Sequence, residues 1–129
     1  MSNQIQNSNS KNKDGKNYNL IERTAKFGED IIEFAGSLRD TLVNRPLISQ
    51  IVRSGTSIGA NYCEADCAES KKDFQHKIGI CKKEAKETMH WLRMIAKANP
   101  LRKDDCRKFW QEAHELTLIF SSIINKSRK

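Results

Sequence analysis

Residues 70–100 read SKKDFQHKIGICKKEAKETMHWLRMIAKANP, and this stretch decides the fold. Phe74, Ile78, Cys81, Ala85, Thr88, Leu92 and Ile95 follow one another at alternating spacings of four and three. Those spacings keep all seven on one helical face, the seam geometry of left-handed bundles. Ser70 stands where an N-cap belongs, and Asp73 three residues on completes a capping arrangement. Asn99-Pro100 ends the run, because the residue before proline avoids the helical region. The pattern predicts a helix over 71–98, roughly 40 Å long at 1.5 Å per residue.

The same periodicity recurs on both sides. Upstream, Leu47, Ile51, Ser54, Ile58, Asn61 and Ala65 predict a helix from Pro46 to about Ala68. Before it, Phe27, Ile31, Phe34, Leu38 and Leu42 predict a helix over 20–43, broken by Asn44, Arg45 and Pro46. Downstream, Cys106, Phe109, Ala113, Leu116, Phe120 and Ile123 predict a fourth helix. Four helices with short connections give an all-α, antiparallel up-down-up-down four-helix bundle. A chain of 129 residues with only 2 Pro and 6 Gly lacks the turn residues of a β-sandwich or barrel.

Charge sorts the chain into three parts. Of the net +7, residues 1–19 carry +2 and residues 125–129 carry +3, leaving +2 on residues 20–124. The expected organisation is a disordered polar tail over 1–19, the bundle over 20–124 and a basic C-terminal tail over 125–129. No apolar run approaches the roughly 18 residues of a membrane span, and the polar N-terminus carries no secretory signal. The expected compartment is the cytoplasm.

Catalytic and metal motifs are weak. Cys63 and Cys67 share a helix face, but no second pair of metal-ligand spacing accompanies them. Cys81 and Cys106 sit on the apolar seams, so all four read as free thiols. A di-iron bundle needs two Glu-x-x-His units, and only Glu87-Thr-Met-His90 is present, with His90 on the outer face. Glu112 and His114 stand at the wrong offset. Neither a phosphate loop nor a nucleophile motif occurs, so no cofactor, no metal and no enzymatic activity are expected.

Two features ask for a reason. The first is Arg53-Ser-Gly-Thr-Ser-Ile-Gly-Ala-Asn61, rich in poor helix formers at the middle of a predicted helix. One reading is a small-residue ridge that lets two helices approach, with Ser54 and Asn61 hydrogen-bonded inside. The other is a phosphate contact through Arg53 and the hydroxyls. On the first reading Arg53, Ser54, Ser57, Asn61, Glu64, Glu84 and Glu87 form a polar network that fixes register.

The second feature is the third helix itself. It holds eight cations against three acids, a net of +5. Lys72, His76, Lys83, Lys86, His90, Arg93 and Lys97 run opposite the seam with no acid among them. A solvated face usually mixes signs, whereas a single-sign stripe suits a polyanion. Lys72, Lys83, Lys86, Arg93 and Lys97 are the candidate nucleic-acid contacts. Ile80 and Met94 on one flank, and Met89, Ala96 and Trp91, widen the apolar face beyond one seam. A second packing surface, hence an oligomer, is expected.

Arg53 to Leu92 resembles a known family. The pattern is met by Arg53, Ser54, Ser57, Ile58, Asn61, Glu64 and Ala65, then Lys72, Asp73 and Phe74, then Lys83, Glu84, Ala85, Glu87, Thr88, Trp91 and Leu92. It looks like the four-helix bundle proteins encoded in intervening sequences of bacterial 23S ribosomal RNA genes, which are similar to the accessory variability protein of diversity-generating retroelements. Tyr62 and Cys63 depart from the smaller residues usual after Asn61, and the N-terminal extension exceeds the family core. The resemblance implies a ring-shaped homopentamer with a basic surface. It also implies RNA or DNA binding, alongside a reverse transcriptase or a ribosomal component as partner. The resulting expectation is a non-enzymatic, oligomeric nucleic-acid-binding protein. The alternative is an adaptor or scaffold that docks an acidic partner, such as a reverse transcriptase complex, through the same face.

Overall fold

A computed structural model describes residues 19–128. It contains α1 (Leu20–Gly36), α2 (Asn44–Asp66), α3 (Lys71–Ala98) and α4 (Lys103–Ser127), with a short 3-10 turn, Pro100–Arg102, leading into α4. Among the described residues there is no strand. The helices form the antiparallel up-down-up-down bundle that the seam spacings require.

Side-chain contacts fix each register. Between α2 and α3, Thr88 meets Ser54, Cys81 meets the Ile58 carbonyl and Lys77 meets Glu64. Between α3 and α4, Gln75 reaches Ser127 while Met89 touches Thr117. Between α1 and α4, Arg23 clasps Glu112 at 2.8 and 2.9 Å and Glu115 at 2.9 Å, and Phe109 packs on Phe27 and Phe34. In every pair one residue number rises as the other falls, the signature of antiparallel neighbours.

The core runs along the bundle axis. Ile31, Ile51, Ile58, Ile78, Ile95, Leu116 and Phe120 are wholly buried. Each contributes about 1.5–3 kcal/mol of apolar burial. Three fully buried hydroxyls interrupt it, those of Thr24, Ser54 and Thr88; Thr88 lies 2.9 Å from the Ser54 hydroxyl and 2.8 Å from the Glu84 carbonyl. With one proton, Thr88 donates to the carbonyl and accepts from Ser54, so its hydroxyl is satisfied.

The tight contact is between α1 and α2. A Cβ on Gly55 would lie 3.0 Å from Ile31, and one on Gly59 would lie 3.2 Å from the Thr24 hydroxyl and 3.4 Å from its backbone. The small residues of α2 therefore let α1 approach, which is the ridge reading of this segment. Their cost in helix propensity is offset by that packing.

Three boundaries differ from the periodicity. First, α1 ends at Gly36, not near residue 43. The Ser37 hydroxyl donates to the Phe34 carbonyl at 2.7 Å and closes the last turn. Leu38 is the last core residue on this segment, and Leu42, despite its spacing, is 83% exposed. Second, α2 starts at Asn44, so Pro46 falls inside the first turn, where its missing N–H costs nothing. Third, α4 continues through residues 125–127, expected as tail. Ile123 and Ile124 pack on the core, and the Gln75 amide donates to the Ser127 carbonyl at 3.1 Å. Asn19 caps α1, accepting from the Glu22 N–H. The remainder of the expected N-terminal tail, 1–18, and Lys129 lie outside the described residues.

A pair of amides ties the two connections at one end. Asn44 and Asn99 exchange hydrogen bonds at 2.9 Å in both directions. Asn44 also donates to the Arg39 carbonyl, and Asn99 to the Ile95 carbonyl, each at 2.9 Å. This closure holds the α1–α2 turn against the end of α3.

Candidate nucleic-acid interface

The candidate interface is on α3, whose seam faces the core and whose Glu84 and Glu87 lie toward α2. Ser70 accepts from the Asp73 N–H at 3.0 Å and starts the helix. Glu84 and Glu87 lie on the flank toward α2. There Arg53 reaches Glu84 at 3.2 Å and pairs with Glu87 through its other terminal nitrogen. The Trp91 indole donates to Glu87 at 3.0 Å. Arg53 is half exposed, so this clasp contributes only a little stability, but it fixes where the two carboxylates point.

The seven residues expected as one polar network divide into local groups. Arg53, Glu84 and Glu87 form the clasp. Ser54 is in the core with Thr88, and Ser57 donates to the Ser54 carbonyl at 3.1 Å. Glu64 pairs with Lys77 at 2.5 Å, not with Arg53 or Asn61. Asn61 donates to the Ser57 carbonyl of its own helix at 2.8 Å and reaches none of the three glutamates. Thr88, a seam position, supplies the buried partner that polarity alone did not suggest.

Opposite the seam, Lys72, Lys83, Lys86, Arg93 and Lys97 are all exposed, as are His76 and His90. Among the described residues none of these five cations forms an ion pair. Elsewhere Arg23, Arg45, Arg53, Arg102 and Arg107 are each matched to a carboxylate. The stripe is thus an uncompensated positive line along α3.

Two clefts are formed among the described residues. One, of about 560 Å³, lies between α1 and α4 over Phe27 and Phe109. Its charged rim is self-neutralised, with Arg23 on Glu112 and Lys26 on Asp30. The other, of about 310 Å³, lies where the end of α3 meets the start of α4. Arg93, Lys103 and Arg107 stand at its mouth over Ala96, Cys106 and Trp110. Lys103, Arg107 and Trp110 recur at helical spacing, a signal that becomes meaningful only once α4 is seen beside α3.

The family described as "23S rRNA-intervening sequence protein" matches residues 16–122. The chain belongs to this family. A similar solved structure in the same vein is a protein of the S23 ribosomal protein family from Bacteroides thetaiotaomicron VPI-5482. It is 29% identical, superposes with a TM-score of 0.72, and the match covers 81% of this chain and 97% of that one. No curated protein matches. The matched region of this intervening-sequence family member spans α1, α2, α3 and most of α4, with the residues that line both clefts. Among its described residues no helix is long and apolar enough to cross a membrane, and no group of three or more His, Cys, Asp or Glu gathers in metal-holding geometry.

The thiols of this family member divide by burial. Cys63 and Cys67 are exposed. Burial pushes the Cys81 thiol up to about 12 and the Cys106 thiol up to about 11. Both are protonated and inert at neutral pH. In the unfolded chain they ionise near 8.5, so that state binds fewer protons above this pH and the fold loses stability as pH rises. The stability gap between the parent and Cys81→Ala is expected to narrow by about 1.4 kcal/mol per pH unit above pH ~9. Urea titrations at several pH values check this; a constant gap contradicts it.

Proposed function

We propose that the protein is a non-enzymatic, homo-oligomeric nucleic-acid-binding protein of the cytoplasm, whose contact surface is the α3 stripe. One observation carries the reading: the acids Glu84 and Glu87 are held toward α2, while on the opposite face Lys72, Lys83, Lys86, Arg93 and Lys97 have no ion-pair partner among the described residues. Cations at helical spacing follow a phosphate backbone and bind it by releasing counterions, with little sequence preference. The family's ribosomal RNA setting makes RNA the first ligand to test.

Fluorescence anisotropy with nuclease-treated protein tests the reading. Single-stranded RNA and duplex DNA are both expected to bind, with affinity falling steeply as salt rises. If neither binds while polyglutamate does, the face docks acidic proteins and the protein is an adaptor.

The proposed assembly is a pentamer, as the family resemblance implies. Met89, Trp91 and Ala96 are used within the monomer, packed on the core. Ile80 and Met94, half-buried beside the stripe, are left for a neighbouring copy. Light scattering is expected to give about five times the chain mass of 14.8 kDa. A monomer mass at micromolar concentration contradicts it.

A further inference from the structure

We infer that the cleft between the last turns of α3 and the first turns of α4 is a stacking subsite for one unpaired base, so that single strands are the preferred ligand. The inference rests on the nucleic-acid reading and goes further by naming the strand type and the residues that select it.

The cleft has the two faces such a ligand needs. Its interior is apolar, made by Ala96, the buried Cys106 and the half-buried Trp110. Its volume of about 310 Å³ is at the small end of ligand sites. Trp110 is held in place by stacking on His114, with centroids 5.2 Å apart and planes 23° apart. Part of its surface packs on the core, and part lines the cleft. Base–aromatic stacking tolerates any base, since every base has a π-face.

A second observation concerns hydrogen bonding. An indole N–H is a donor with no acceptor of its own to offer. That of Trp91 has Glu87, whereas that of Trp110 has none among the described residues. The exposed Gln111 at the same cleft is likewise unpartnered and offers both a donor and an acceptor to a base edge.

Charge names the occupant. Among the described residues Arg93 and Lys103 form no ion pair, and Arg107 shares one 3.4 Å pair with the 96% exposed Asp104. An apolar helix from another chain gains nothing from that rim, whereas an anionic strand does. Arg93 belongs both to the stripe and to the cleft. A strand whose phosphates follow Lys83, Lys86 and Arg93 therefore arrives at the cleft mouth, where a base can turn in. Bases of a duplex are stacked and paired, and cannot enter.

The test compares a short labelled oligo(dT) with duplex DNA of equal length, by anisotropy. Trp110→Leu is expected to weaken oligo(dT) binding about tenfold. It is expected to leave duplex binding within about twofold of the parent, and Trp110→Phe to retain most of the oligo(dT) affinity. In Trp91→Phe protein, Trp110 is the sole indole, and oligo(dT) is expected to quench it saturably while duplex does not. This second readout stands even if Trp110→Leu misfolds. Equal losses on both ligands, undiminished oligo(dT) binding by Trp110→Leu, or no quenching overturns the subsite and leaves the stripe reading intact. A parent that binds neither ligand overturns both.

Discussion

Replacing Lys83, Lys86 and Arg93 together by glutamine is expected to lower affinity for single-stranded RNA and duplex DNA by on the order of a hundredfold at 0.15 M salt. Each phosphate contact adds nearly one unit to the slope of log affinity against log salt. Three lost contacts should therefore flatten that slope by about three units. The fold should not change. Among the described residues none of the three side chains has an ion-pair partner to lose, all three are exposed, and glutamine is a good helix former. Circular dichroism and thermal midpoint are the controls, with stability expected within about 0.5 kcal/mol of the parent. Unaltered binding by a folded triple variant would make the stripe a solvated face.

Gly55→Val is expected to destabilise the bundle by about 3 kcal/mol and lower the thermal midpoint by roughly 10 °C. A single Cβ already lies 3.0 Å from the Ile31 methyl and 3.3 Å from its Cβ, and Ile31 is wholly buried with nowhere to move. Valine adds two methyl groups at the same point and pushes α1 off α2. Gly79→Ala is the opposite case. A Cβ there meets nothing within 4 Å, so only the propensity gain remains. That variant is expected to be more stable by about 0.5–1 kcal/mol. Paired thermal melts decide the matter. Two losses of similar size would mean that close approach is not what Gly55 serves.

The two glycines also show where sequence reasoning stops. Their propensity cost is identical, and only the neighbour across the gap separates them. The bounds of α3 were legible because three independent signals coincided: the seam spacing, the Ser70 cap and Asn99-Pro100. At Leu42 spacing stood alone, and the Ser37 hydroxyl closed the helix six residues after Ile31. Residues 125–127 looked like tail because charge dominates there, yet the apolar pair Ile123 and Ile124 carries α4 onward. Exposure of the stripe followed from its angle to the seam. The fate of Asn61 did not: a helical asparagine has its own i−4 carbonyl within reach, and Asn61 takes it. The α3–α4 cleft was not legible at all, because Arg93 and Trp110 come from different helices and meet only in the bundle.

Lysine acetylation mapped by mass spectrometry, with and without bound single-stranded RNA, tests the central claim most directly. The α3 stripe account predicts protection of Lys72, Lys83, Lys86 and Lys97, with Lys26 and Lys108 still reactive in the complex. Protection confined to Lys11, Lys13, Lys16, Lys126 and Lys129, with the α3 lysines as reactive as in the free protein, would contradict it.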